Sequence, residues 1–352
     1  MKRVLVTGAG GSAGINFVKS LRMAQEEMWI AGTDANRYFL ELPPLDARYI
    51  VPRAKDVERY IAALNRVIAK ERIDFLHPQP DIEVEVISEN REKLNARTFL
   101  PSKDAVRICH DKFESNKVFR NAGVPVPKSS KLESEDSLSE SLEEVGLPAW
   151  IRTRDPRYSF AMRVETKEQA RLWIDFWLSK SNGELKWEDF TVNEYLPGRV
   201  IGWQSIWKDG ELITCQGRVR LEWFKTSPVS PTGAGTSAVQ MTISHKLLDE
   251  IATRAVRAVD KKPNGVLSVD LAEDAKGNMC VTEINLGRFY TTCLFFPACG
   301  VNVPYIYLLC AFGEMNFQVE KFSPIPDGYY WIRNLDADPV LVKGEKWRSI
   351  EA

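Results

Sequence analysis

The chain has 352 residues, and its 47 Lys plus Arg nearly balance 48 Asp plus Glu. That balance supplies no basic excess to point to nucleic acid or an anionic membrane as the main partner. A hydrophobic fraction of 44% beside a charged fraction of 27% suits a folded chain, long enough for two or three domains and a large core.

The opening alternates strand and helix. Lys2 to Thr7 reads as a strand, and Gly8-Ala-Gly-Gly-Ser-Ala-Gly14 as a tight turn entering a helix that runs to about Met23. Trp29 to Asp34 is a second strand, Val57 to Lys70 has helical periodicity, and Ile73 to His77 is a third strand. Alternation of this kind predicts a parallel sheet covered by helices, closing near Leu100-Pro101. A helical segment from Ser102 to Ala122 follows, stopped by Gly123-Val-Pro-Val-Pro127. Ser129 to Gly146, rich in Ser and Glu, reads as a solvated surface helix and linker. Trp150 to Arg154 and Phe160 to Val164 read as strands around a turn, and Lys167 to Leu178 as an amphipathic helix.

Beyond Phe190 the pattern turns mostly to strand: Phe190 to Leu196, Val200 to Trp207, Leu212 to Leu221, Val266 to Ala272 and Met279 to Ile284. Lys208-Asp-Gly210 and Lys276-Gly-Asn278 are hairpin signals, and His245 to Val259 is a helix. Phe289 to Gly313 carries no charged side chain. Pro297, Gly300, Asn302 and Pro304 interrupt it, so it reads as a loop and a buried helix from about Pro304, not a membrane span. The six cysteines (Cys109, Cys215, Cys280, Cys293, Cys299, Cys310) form no Cys-x-x-Cys pair and fit free thiols in a reducing cytoplasm. No apolar leader with a cleavage site opens the chain, so a cytoplasmic location is expected.

Two places could carry chemistry. Gly8 to Gly14, with Asp34 after it, matches the spacing of a dinucleotide-binding turn. The same glycines equally serve tight turning and close helix packing, and nothing downstream supplies a hydride-transfer site. A nicotinamide oxidoreductase is therefore the last of the readings kept. The carboxyl-terminal half offers more. Asp270 ends one strand and Glu283 its hairpin partner, with Asn285 beyond, so a turn at Lys276-Gly-Asn278 brings two carboxylates and an amide oxygen together. Hard oxygen ligands of this kind suit magnesium, with nucleotide phosphates completing its shell. Arg288, three residues on, could hold phosphate or a developing acyl phosphate.

Asp111-Lys112, Gly123-Val-Pro-Val-Pro-Lys128, Asn193-Glu-Tyr-Leu-Pro-Gly198 and Glu283-Ile-Asn285 occur in that order. Val4-Leu-Val-Thr-Gly8, Val51-Pro52, Ile73-Asp74 and Gln79-Pro-Asp81 precede them. This run resembles the ATP-grasp superfamily, particularly the carboxylate-amine ligases related to the carbamoyl-phosphate synthase large subunit, over most of the chain. The resemblance implies an α/β fold: a Rossmann-like domain over 1–100, a linker helix and small α+β nucleotide lid over 101–192, and a larger antiparallel α+β domain over 193–352. It implies ATP and Mg2+ as cofactors, and an activated carboxylate attacked by an amine. Lys112 would touch nucleotide phosphate, and Glu194, Tyr195 and Leu196 would form the hinge at the adenine. Arg218 and Arg220 would face phosphates and the substrate carboxylate, Arg288 the acyl phosphate, and Asp270, Glu283 and Asn285 the metal. Small-molecule carboxylates and amines are the expected partners, with a homodimer allowed.

The sequence departs from the family at the phosphate loop. Ile151-Arg-Thr-Arg-Asp-Pro-Arg-Tyr-Ser-Phe-Ala161 has no glycine, and Arg152 stands where a lysine is usual. Arg152, Arg154 and Arg157 would supply by side chain what backbone amides supply elsewhere. Val200 and Gln204 replace common acids, and Asn285-Leu-Gly-Arg288 is one residue longer than the usual ending. A kinase, a ligase with a non-amine acceptor, or a nucleotide-binding regulatory protein without turnover remain as alternatives.

Overall fold

The computed structural model describes residues 1–154, 160–224, 236–334 and 337–343. The first elements are β1 (Lys2–Thr7), α1 (Ser12–Arg22), β2 (Met28–Asp34), β3 (Ala47–Ile50), α2 (Val57–Glu71), β4 (Phe75–His77) and α3 (Asp81–Glu89). They build a parallel sheet in the order β3-β2-β1-β4. Val4, Leu5 and Val6 are all fully buried because helices cover both faces, which is why β1 is continuously apolar. On one face lie Phe17, Val18 and Leu21 of α1; on the other lie Tyr60, Leu64 and Val67 of α2. The unanticipated strand β3 is too short to show a period, and it pairs with β2 from the edge. Gly14 has to be glycine here, since an added Cβ would lie 2.5 Å from the Gly8 carbonyl oxygen.

The predicted single helix from Ser102 to Ala122 is two: α4 (Lys103–His110) and α5 (Lys112–Asn121). Asp111 breaks it. Its backbone is extended, and its carboxylate accepts from the amides of Phe113 (2.9 Å) and Glu114 (3.2 Å), capping α5. Next come β5 (Ser129–Lys131), α6 (Ser137–Val145), β6 (Ala149–Thr153), β7 (Ala161–Val164), α7 (Lys167–Lys180) and β8 (Phe190–Glu194). The strands form an antiparallel sheet in the order β5-β8-β6-β7. The expected solvated linker is instead part of this layer. Ser129 to Lys131 pairs with β8, and α6 buries Leu138, Leu142 and Val145 in a core shared with α7 while its glutamates stay outside.

The remaining elements are β9 (Val200–Lys208), β10 (Glu211–Trp223), β11 (Ser237–Ile243), α8 (Lys246–Val259), β12 (Gly265–Glu273), β13 (Met279–Leu286), α9 (Phe295–Ala298), α10 (Val303–Phe312), β14 (Tyr329–Asn334) and β15 (Ala337–Lys343). Their antiparallel sheet runs β13-β12-β9-β10-β11-β14-β15. Both anticipated hairpins are there, β9-β10 and β12-β13. Among the described residues no helix is long and apolar enough to cross a membrane. The apolar stretch before Gly313 instead becomes α9 and α10, which pack against the first sheet: Phe289, Phe296 and Tyr307 share a core with Val4, Phe17 and Phe75.

His77 lies inside that shared core, stacked on Phe17 at 4.0 Å between ring centres and bonded to Tyr307 (3.1 Å) and Gln79 (3.0 Å). Burial lowers its pKa from 6.5 to about 3, against the hydrogen bond it gives to the Gln79 side-chain oxygen. The unfolded chain therefore takes up a proton below pH 6.5 that the folded chain refuses. Its contribution is complete above that pH and falls as pH drops toward 3. Urea unfolding should show about 2 kcal/mol lost from this group between pH 6.5 and 5. The test is the difference in slope between wild type and His77→Gln; equal slopes would contradict a buried neutral imidazole.

Candidate active site

The β12-β13 register places Asp270 directly opposite Glu283 and Ser268 opposite Asn285. Residues two apart on a strand share a face, so Asp270, Glu283 and Asn285 converge. The Asn285 amide donates to Asp270 Oδ2 at 3.2 Å. Arg220, on β10, pairs with Asp270 Oδ1. Arg152, on β6, donates to Glu283 Oε2 at 2.7 Å, and Lys112 Nζ lies 3.7 Å from the same oxygen. Arg288 bonds both Asp81, in the first turn of α3, and the Asn285 side-chain oxygen. Gly287 makes that turn possible: its φ is +70°, and a Cβ there would lie 2.8 Å from Leu100.

Burial alone would raise the Glu283 carboxyl, but Lys112 and Arg152 overcome it and hold it at about 2. Burial, with Arg152 adding to it, lowers the Lys112 ammonium to about 8 while Glu283 offsets part of the shift. For Asp270 burial prevails over Arg220 and pushes the carboxyl up.

These groups wall a cavity of about 500 Å³ between the four-stranded antiparallel sheet and the seven-stranded one. Of the residues expected at the site, Lys112, Arg152, Glu194, Tyr195, Leu196, Arg220, Asp270 and Glu283 line it. Asn285 and Arg288 line a small adjoining cleft with Asp81 and Lys112. The volume falls within the range of small-ligand sites. The Glu194 carboxylate does not point free into the cavity, since it accepts from the Lys128 amide at 3.1 Å. Arg154 pairs with Asp111 and does not line the cavity, while Arg157 lies outside the described residues. So does most of Trp223 to Val239, including 232–235 of the Thr232-Gly-Ala-Gly-Thr236 stretch.

Arg218 is brought close but not into the cavity. It is 1% exposed, gives one hydrogen bond to Thr292 (2.9 Å), and lies over the rings of Tyr290 and Phe296. Arg218, Gly202 and Asp270 stand in one row across β10, β9 and β12. Tyr290 packs over Gly202, where a Cβ would come within 3.4 Å of its ring. Its hydroxyl reaches Asp270 Oδ1 at 2.8 Å and the Val269 carbonyl at 3.0 Å. Tyr290 and Asp81 were not among the expected site residues. Tyr290 follows Arg288 by two residues and Asp81 closes the run Gln79-Pro-Asp81, but their contacts are made across strands or between distant segments. Tyr290→Phe should keep the ring packing and lose one hydrogen bond to a carboxylate, so turnover should fall about tenfold with little change in melting temperature. Unchanged turnover would leave Tyr290 a packing residue only.

At the amino-terminal turn, Asp34 accepts from the Gly10 amide (3.0 Å) and the Asn36 amide (2.8 Å), and Phe39 packs on Gly10. The acid that spacing offered for a ribose is therefore engaged in closing its own glycine turn.

No family model matches this sequence, and no curated protein does. Solved structures do match. An L-amino acid ligase from Bacillus licheniformis superposes with a TM-score of 0.70 at 12% identity, over 94% of this chain and 79% of that one. A biotin carboxylase from Campylobacter jejuni, in a β,γ-ATP complex, gives 0.70 at 16% identity over 94% and 74%. An N5-carboxyaminoimidazole synthase from Aspergillus clavatus, with ADP and aminoimidazole ribonucleotide, gives 0.68 at 14% identity over 94% and 81%. This chain has the ATP-grasp fold. Within that ATP-grasp fold the cavity lies where the four-stranded and seven-stranded antiparallel sheets face each other, with Arg152 reaching from one to Glu283 on the other.

Proposed function

We propose that this chain is an ATP- and magnesium-dependent ligase that activates a small-molecule carboxylate for attack by an amine. The observation that carries the reading is the facing pair Asp270 and Glu283 on the wall of a cavity ringed by Lys112, Arg152 and Arg220. The solved relatives named above, a ligase and two nucleotide complexes among them, support it.

ATP is a substrate in this reaction. An oxygen of the carboxylate attacks the γ-phosphorus, the bond to the β-phosphate oxygen breaks, and ADP leaves. The amine nitrogen then attacks the carbonyl carbon, the phosphate departs with its bonding pair, and the nitrogen gives up a proton. Asp270, Glu283 and Asn285 offer hard oxygen donors, so they fit magnesium and would hold it. The ion would neutralise charge on the phosphates. Lys112 and Arg152 approach the same end of the cavity and would steady the transferred group, and Arg220 and Arg288 would orient the carboxylate end. The hinge Glu194 to Leu196 would seat the base by its backbone, since the Glu194 side chain is engaged. In this division residues 1–100 frame the substrate side, 101–192 cover the nucleotide, and 193–352 carry metal and acids.

The test is a screen of carboxylates with and without amines for ADP and phosphate release, preceded by calorimetry with magnesium-ATP. Binding of ATP and carboxylate-dependent ADP release are expected. No heat of binding at millimolar magnesium-ATP would end the reading. ATP binding without release from any pair would favour the regulatory protein instead.

A further inference from the structure

Glu83 belongs to the first turn of α3 and lines neither of the cavities described above. Among the described residues its Oε2 is buried without a hydrogen-bond partner, and so are the hydroxyls of Thr7, Thr33 and Tyr60. Thr7 and Thr33 stand side by side in the register of β1 and β2, on the α2 face of the sheet that Leu5 and Ala31 share. Thr7 and Tyr60 are the polar groups that act on Glu83, and the charge that does so is a second carboxylate, Asp34 of β2. His77, at the end of β4, packs with Phe17 on the opposite face. On α3 itself Asp81 pairs with Arg288, and Glu85 lies 3.3 Å from His110.

A carboxyl in this seat has no cation to keep it charged, so its neutral form is favoured. Burial raises Glu83 from 4.5 to about 7, Asp34 adds to the shift, and the Thr7 and Tyr60 hydroxyls offset part of it. Burial pushes Tyr60 up as well, so it brings no charge of its own. The corner is closely built. A Cβ on Gly8 would lie 2.3 Å from the Pro80 ring and 3.6 Å from Glu83 Oε2. Two residues before Glu83, Asp81 bonds Arg288, which in turn holds the Asn285 side chain. Glu83 cannot leave its seat without disturbing the turn that carries Asp81.

We propose that Glu83 makes the first turn of α3 a proton-sensitive joint, seated while its carboxyl is neutral and loosened, together with Asp81, when it is charged. The joint positions Arg288 and touches no reactant. Seated, Glu83 keeps a proton up to about pH 7; released into water, it gives that proton up above 4.5. Release is therefore favoured progressively as pH rises from 4.5 to 7, and gains little beyond.

Hydrogen exchange of the α3 amides, corrected for the intrinsic rate, reads the joint with no ligand present. Between about pH 5 and 7 wild-type α3 should lose protection at least about tenfold and then level off, while the amides of α2 stay flat. Glu83→Gln keeps the shape without the charge, so its α3 should stay flat too. Asp34→Asn removes the neighbouring charge and keeps an acceptor for the Gly10 amide, so the levelling should come at lower pH. Carbon-13 titration of the Glu83 carboxyl, assigned by its absence from Glu83→Gln, should give a midpoint near 7. A midpoint near 4.5, α3 and α2 losing protection together, or wild-type pH dependence in Glu83→Gln would each overturn the joint. None of these readings involves ATP or a carboxylate, so the ligase reading stands or falls separately.

Discussion

Glu283→Gln should leave the protein folded and reduce ADP release at least about a hundredfold, the scale expected when a charge beside a transferring phosphoryl group is removed. The substitution keeps the side chain's size and one acceptor oxygen, so Arg152 retains a partner and the β12-β13 pairing is untouched. It removes the negative charge on which Arg152, Lys112 and a metal would all depend. Asp270→Asn should act similarly, with an additional loss because Arg220 and Tyr290 both address its Oδ1. Turnover is to be measured with the carboxylate and amine that the screen identifies, beside circular-dichroism melting curves for both variants. Near-normal turnover in both would remove these acids from the chemistry.

Arg218→Met should have the opposite effects on stability and on activity. The guanidinium is buried, burial lowers its pKa to about 10, and among the described residues Thr292 supplies its one hydrogen-bond partner while Nε and Nη2 have none. Replacing such a charge with an apolar side chain of similar length is often stabilising, so a gain of about 1 kcal/mol or more in urea unfolding is expected. Turnover should fall by at least about tenfold, because the Tyr290 ring that Arg218 supports is the one holding Asp270. A variant less stable than wild type and equally active would make Arg218 a structural residue.

The parts of this fold that were legible in the sequence are those fixed by local rules. The two acids could be placed because one short hairpin, turning at Lys276 to Asn278, sets the register of their strands. The amino-terminal alternation was legible because β1 is buried on both faces and α2 carries a clean apolar stripe. What escaped depends on partners far away in the chain. Asp111 stands out beside Lys112, but its pairing with Arg154, 43 residues on, could not be read from its own segment. The edge strand β3 and the outer strands β14 and β15 are defined by a neighbour's hydrogen bonds more than by their own pattern. Tyr290 could not be assigned because its place over Gly202 requires knowing that β9 separates β10 from β12.

The sharing of a core between the first sheet and α10 bears on how the protein is made. His77 and Tyr307, which touch, are 230 residues apart. At ribosomal speeds of about 5–20 residues per second, roughly 10–50 s separate the synthesis of β4 from that of the helix that covers it. During that interval Phe17, Phe75 and the His77 ring have no cover from Phe289 or Tyr307, whereas the four-stranded β5-β8-β6-β7 layer, whose core comes from residues 132–192 alone, can complete itself at once. The part synthesised first is therefore finished last, and a chain cut before Val303 would leave Phe17, Phe75 and His77 without the cover of α10.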